Sequence, residues 1–321
     1  MDPADQLMRC ELFHDVLARD VLIERSGQHR SGLFTREGII EDSLLRRHYG
    51  TFIDARIDPP PGRVHYGPPG TFIFGGYLQT HYGHFLLETL NTVWALRKHA
   101  HLPIVWIPMK GETQWLDWQL EILDLLGISR DRHVLNRGDT RYERMLVAQA
   151  GYEIQRTFHP VQEAALGQVA PAPIIAGKRL WLSRSGSSGS RAGMVNEDAL
   201  EAQLESHGWN IFVPERHTVA RQLEEISSAE IVSGIAGSAF HSVLLLDHVT
   251  STLMPVFARV PKNENFTTIQ RQKGFKQIRV DLPPSALQVV KKGHWHGADS
   301  VRLLEPDLVV GPLLEAQNLL G

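Results

Sequence analysis

Three observations along this 321-residue chain predict an α/β fold in two halves. From Thr71 to Ala150, short apolar runs bounded by Gly and Pro alternate with stretches of helical period, and a second series of the same kind starts at Arg179. Between them, Val169-Ala170-Pro171-Ala172-Pro173 has the composition of a linker. Strand-helix-strand alternation implies a parallel sheet covered by helices. Two such halves place a ligand in the crevice outside the carboxyl ends of the strands. The boundary falls near residue 170, giving an N-terminal domain over 1–170 and a C-terminal domain over 171–321.

Composition permits this and excludes several alternatives. The chain is long enough for about two domains of roughly 100–200 residues each, and 42% hydrophobic with 21% charged residues is ordinary for a globular protein. A formal net charge of −3 draws nothing to nucleic acid. The single cysteine, Cys10, can close no internal disulfide and belongs to no zinc-binding cluster, which favours a reducing compartment. No stretch approaches the roughly 20 apolar residues of a spanning helix, and Met1-Asp2-Pro3-Ala4-Asp5 lacks the layout of a signal peptide. The expectation is a cytoplasmic protein whose membrane contact, if any, is peripheral, at the inner face and through its substrate.

In chain order, residues 1–50 are polar and mixed, with apolar patches such as Val16-Leu17-Ala18 and Val21-Leu22-Ile23 that define no element. A block rich in Pro and Gly, 58–70, leads into a buried strand at 71–76. A helix over 81–97, a strand at 104–107, a helix over 114–126 ended by Gly127, and strands at 133–135 and 143–150 complete the first half. The second half reads as a strand at 179–182, a helix over 197–207, a strand at 209–213, a helix over 219–228, a strand at 230–233, and an apolar helix through 243–246. The tail 283–321 continues no such series but holds Leu303, Leu304, Val309 and Leu313, which leaves it free to pack back on the N-terminal domain.

The segment 81–97 carries the densest chemistry. At 100° per residue, Leu86, Leu87, Leu90, Val93 and Trp94 share one face, and His81, His84, Glu88, Asn91 and Thr92 share the other. A solvated face would supply Lys, Glu and Gln, so two imidazoles, a carboxylate and an amide suggest the wall of a cleft. The plainer alternative is a pair of satisfied histidines at a helix start, because clustered titratable groups mark sites only statistically.

Two loops suit an anion. Ser183-Arg184-Ser185-Gly186-Ser187-Ser188-Gly189-Ser190-Arg191 follows a strand and offers hydroxyls, glycines and two guanidinium groups, although it lacks the Gly-Lys-Ser/Thr ending of a Walker loop. Gly234-Ile235-Ala236-Gly237-Ser238-Ala239-Phe240-His241-Ser242 leads from a strand to a helix, whose start presents free N–H donors and the positive end of a dipole. A solvated surface loop for the first, and an N-cap role for Ser238 in the second, are the structural alternatives.

Taken in succession, His81-x-x-His84-Phe85-x-x-Glu88, Leu182-Ser183-Arg184 with Arg191 and Asn196-Glu197, Pro214-Glu215, and Gly237-Ser238-Ala239-Phe240-His241 resemble glycosyltransferase family 61, the capsular polysaccharide biosynthesis type. The resemblance covers about 75–255. It implies a GT-B-like architecture of two Rossmann-like domains facing across a cleft, with an acceptor-side N-terminal domain and a nucleotide-sugar-binding C-terminal one. It further implies an inverting, metal-independent transfer of a hexosyl or pentosyl group from a UDP-linked donor to a glycan or lipid-linked saccharide, without a cofactor. Carried over by position, Arg184, Ser185 and Arg191 hold the diphosphate; Asn196, Glu215, Gly237, Ser238 and His241 complete the donor site; and His84, Glu88 and His81 face the acceptor. The chain departs from the family pattern at Ser242, Ala236 and His81.

An inverting transfer needs a base for the acceptor hydroxyl and positive groups for the departing diphosphate. A histidine titrating near neutrality suits the first task, and a carboxylate one helical turn away fixes its tautomer. His84 with Glu88 meets that spacing, while His81 and Glu88 itself remain competing bases. Arginines and a helix start suit the second task. Two rivals stand beside this reading: a metal-dependent hydrolase using His81, His84 and Glu88 as ligands, and a nucleotide- or carbohydrate-binding module without turnover.

Overall fold

The computed structural model describes residues 8–25, 28–47, 50–51, 53–58, 63–109, 114–185, 194–258, 263–291 and 300–320. The chain divides into two compact units, Met1–Val169 with Glu264–Gln272 and Ala170–Asn263 with Lys273–Gly321.

The first unit is built on a mixed sheet. Its main path runs His133–Leu135, Ile104–Pro108, Thr71–Leu78, Thr140–Ala148, Cys10–Ile23, His29–Thr35 and Gly38–Ile39. The first four of these strands are mutually parallel, and in chain order they lie 3-2-1-4 across the sheet. The others add antiparallel ribbons, so the expectation of a purely parallel sheet is corrected. The segment 10–23, which defines no element in the sequence, is the longest strand. Within it Asp15 stands at φ 53° while the pairing with Thr140–Ala148 keeps its register, and Arg141 donates to the Asp15 carboxylate at 2.8 Å. One face of the sheet packs Val16, Leu33, Phe74, Ile107, Tyr142 and Val147 into a core.

The second unit holds a five-stranded sheet, all parallel, in the order Asn210–Phe212, Ile175–Leu182, Ala229–Ile235, Thr252–Phe257 and Val280–Asp281. In chain order this is 2-1-3-4-5, a doubly wound arrangement. Helices Glu197–Ser206 and Val219–Ser228 connect its first three strands. After the third strand, the expected apolar α-helix is a 3-10 helix, Ser238–Leu245.

Leu303, Val309 and Leu313 of the tail join Trp181, Leu200 and Met254 in the core of the second unit, where an apolar helix face finds a ready sheet surface to cover. Late in the chain, Glu264–Gln272 belongs to the first unit and contains most of the helix Asn265–Lys273. There Asn265 Oδ1 accepts from the Tyr152 hydroxyl at 2.9 Å and from the Gln155 amide at 2.7 Å.

Candidate active site

In the 3-2-1-4 order of the first unit, strand Thr71–Leu78 lies where the winding reverses, so its carboxyl end is a topological switch point. The chain leaves that end through Gln79 and Thr80 and enters the histidine segment. The expected single helix over 81–97 is corrected here. Tyr82–His84 is one α-turn, Phe85–Thr89 is a π-turn in which Leu90 N donates to Phe85 O at 3.0 Å, and Val93–Lys98 is α-helical again. Thr89 anchors the π-turn to the strand, donating its hydroxyl to Tyr77 O at 2.7 Å and accepting from Gln79 N at 3.0 Å. Such π-turns recur at functional sites.

His81 is the N-cap. Its Nδ1 accepts from Gly83 N at 3.1 Å and from His84 N at 3.4 Å, which leaves Nε2 as the protonated nitrogen of the neutral ring. His84 lies against it, ring centroids 4.9 Å apart. His84 Nδ1 is 3.0 Å from Glu88 Oε2, with the His84 side chain 39% exposed and that of Glu88 only 1%. Gln79 Nε2 donates to the same carboxylate oxygen at 3.0 Å, Gln119 Nε2 donates to Gln79 O at 2.9 Å, and Leu116 N donates to Gln119 Oε1 at 2.8 Å. A buried carboxylate thus lies at hydrogen-bond distance from Nδ1 of a part-exposed imidazole, the kind of arrangement by which a carboxylate can fix the tautomer of a histidine. Gln79 and Gln119 are the site residues that sequence reasoning missed; the only available signal was an amide inside an apolar helix. Thr92, on the expected polar face, is buried.

These groups do not assemble as metal ligands. His81 Nδ1 is committed to backbone, and among the described residues no cluster of three or more His, Cys, Asp or Glu is arranged to hold an ion.

In the second unit the first and third strands are neighbours, and their carboxyl ends form the switch point of the 2-1-3-4-5 order. Leu182 pairs with Gly234, so the two anion-loop candidates leave side by side. Gly234 has φ +154°, and a Cβ there would stand 2.7 Å from Leu182 O, so only glycine lets the strands come this close. Arg184 Nη1 is 3.6 Å from where a Cβ of Gly237 would sit, which brings the arginine of one loop against the glycine of the other. Gly237, in extended backbone, is the N-cap of the helix Ser238–Leu245, so Ser238 is its first residue rather than its cap. Ser185 is exposed and its Oγ lies 2.7 Å from Ser183 Oγ.

Arg191 lies outside the described residues. The Asn196 amide is engaged at both ends by Leu303: its Nδ2 donates to Leu303 O and its Oδ1 accepts from Leu303 N, both at 2.9 Å. His241 is only 4% exposed, packed inside rather than presented. Glu215 is exposed on the turn Pro214–Arg216, which Gln222 Nε2 holds by donating to Pro214 O at 2.9 Å. Two acids that the sequence did not single out as ligands lie beneath the Arg184 loop. Burial pushes Glu197 up to about 7 and raises Glu201 as well.

Comparison with known proteins gives one family. The model described as Glycosyltransferase 61 matches residues 82–253, more than half of the chain, a span that includes His84, Glu88 and both anion-loop candidates. A comparison with curated proteins finds no match.

Proposed function

The chain belongs to glycosyltransferase family 61 and is by that membership a glycosyltransferase, and we propose that it transfers a hexosyl or pentosyl group with inversion, using His84 as the base. Membership implies in general a nucleotide-sugar donor and a glycan acceptor. The observation that carries the finer reading is the His84–Glu88 pair, an accessible imidazole tied to a buried carboxylate at 3.0 Å. His84 Nε2 takes the proton of the acceptor hydroxyl as its oxygen attacks the anomeric carbon. The bond to the nucleoside diphosphate breaks on the opposite face, and Arg184 with the Gly237–Ser238 backbone stabilises the departing charge without a metal. Glu88 stabilises the imidazolium that forms. His81, with Nδ1 engaged on the helix start, supports the acceptor side.

In this reading the first unit is the acceptor domain and the second the donor domain of a GT-B enzyme. The donor is UDP-linked, and the acceptor is a glycan or lipid-linked saccharide of the capsular kind. Such an enzyme works in the cytoplasm or peripherally at the inner face of a membrane; among the described residues no helix is long and apolar enough to cross one.

A thermal-shift screen of nucleotide sugars finds the donor, since a ligand at 100 times its Kd stabilises by about 2.7 kcal/mol. Turnover of His84→Ala, His81→Ala and Glu88→Gln at saturating donor then assigns the base. Near-normal turnover in His84→Ala overturns the assignment, and nucleotide binding without turnover across a broad acceptor panel points to a binding module instead.

A further inference from the structure

Helix Glu197–Ser206 begins beneath the loop that carries Arg184, and its first two turns set two acids, Glu197 and Glu201, against that loop. Glu197 is 3% exposed, and its Oε1 accepts from Arg184 N and from Trp181 Nε1, both at 3.2 Å. Glu201, one turn on and 9% exposed, lies beside Ser183 and Ser185, whose hydroxyls favour its ionised form against the burial that raises it. The Arg184 backbone and the side chains of Ser183 and Ser185 therefore rest on two carboxyl groups one helical turn apart. The charged groups that bear on Glu197 are Glu201 and Arg184, and those that bear on Glu201 include Asp198 and Glu205.

We propose that Glu197 is a positioning residue for the donor loop and that it takes up a proton when a nucleoside diphosphate binds at Arg184. The inference rests on the donor reading above. Arg184 is the one positive group acting on Glu197 among the described residues, and it favours the ionised form. A diphosphate arriving at that guanidinium cancels the positive field and adds negative charge, while Glu201 repels from below, so the carboxylate is driven to protonate. Burial already pushes Glu197 up to about 7, so the proton is exchanged near neutral pH. The neutral acid keeps its hold on the loop, because its carbonyl oxygen still accepts from Arg184 N and Trp181 Nε1 while the new O–H sits on the other oxygen. Binding that takes up a proton must weaken as pH rises, by up to tenfold per pH unit for one proton.

Calorimetry of UDP binding in two buffers of different ionisation enthalpy, from pH 6.5 to 8.5, measures the uptake. UDP has its own titrating phosphate, so the reading is the difference between wild type and Glu197→Gln, in which the nucleotide's contribution cancels. Wild type is expected to take up a fraction of a proton more than the variant at pH 7.5 and to lose affinity more steeply towards pH 8.5. Equal uptake and parallel pH profiles overturn the inference. If the slope survives Glu197→Gln and vanishes in Glu201→Gln, the proton goes to Glu201 and the assignment is wrong. Wild type with UDP-glucose, whose diphosphate does not titrate in this range, repeats the test without a variant: uptake supports the inference and its absence overturns it. No binding of either probe overturns the UDP donor reading itself, and the inference with it.

Discussion

At the end of strand Thr71–Leu78, the buried Glu88 carboxylate meets Gln79 and His84 at 3.0 Å each, and both partners suit a negative charge. At the end of strand Ile175–Leu182, the buried Glu197 carboxylate meets an indole and a backbone amide, with Glu201 one turn away, and burial dominates its chemistry. The two acids occupy equivalent positions, each near a switch point of its sheet; both are held by donors, and only the second has another acid one turn away and, in our proposal, changes its proton. A base must keep one protonation pattern before substrate arrives. A seat for a dianion gains from adjusting its charge to what it holds.

The largest effect expected from this contrast is on turnover. His84→Ala should lower it by roughly 10²–10⁴-fold at saturating donor, the usual worth of a general base. Glu88→Gln should cost less, since the amide still accepts from His84. A Glu88→Gln rate below that of His84→Ala would make Glu88 the base and reverse the comparison.

Gly234→Ala tests the second switch point. A Cβ placed 2.7 Å from Leu182 O, on a backbone with φ +154°, forces the first and third strands apart. The expected loss is about 2–4 kcal/mol, read by denaturant unfolding. An unchanged midpoint would show that the strand spacing adapts.

Arg184→Ala removes a charged partner from a polyanion and should weaken UDP binding by about 1.5–3 kcal/mol without altering the unfolding midpoint. Unchanged affinity would dismiss this loop as the diphosphate seat.

The smallest effects are opposed pH slopes. Glu197, raised from 4.5 to about 7, binds more protons folded than unfolded, so its contribution is present below pH 4.5 and is lost as pH rises through 7. In the first unit, burial lowers His133 from 6.5 to about 4, so its contribution is present above pH 6.5 and is lost as pH falls through 4. Each amounts to about 1–3 kcal/mol. Melts between pH 4 and 8 should show Glu197→Gln flattening the loss towards neutral pH and His133→Gln flattening the loss towards acid. A shared response of both variants would remove this distinction between the units.

The α/β alternation, the four-residue spacing of His84 and Glu88, and the exit of both anion loops from strand ends were all legible in the residues. Each depends on neighbours a few positions apart, where periodicity and turn chemistry are decisive. Tertiary structure decided the rest, because it turned on partners far along the chain. Strand Cys10–Ile23 exists by pairing with Thr140–Ala148. Gln119 reaches Gln79 across forty positions to finish the support of Glu88. Asn196 sits beside the loop in sequence but spends its amide on Leu303, 107 residues on. Glu197 read as one letter of a family motif, and its altered acidity comes from desolvation, which no local spacing encodes. Side-chain pattern sets which elements form. Which polar groups end up buried, and against what, is fixed only when those elements pack.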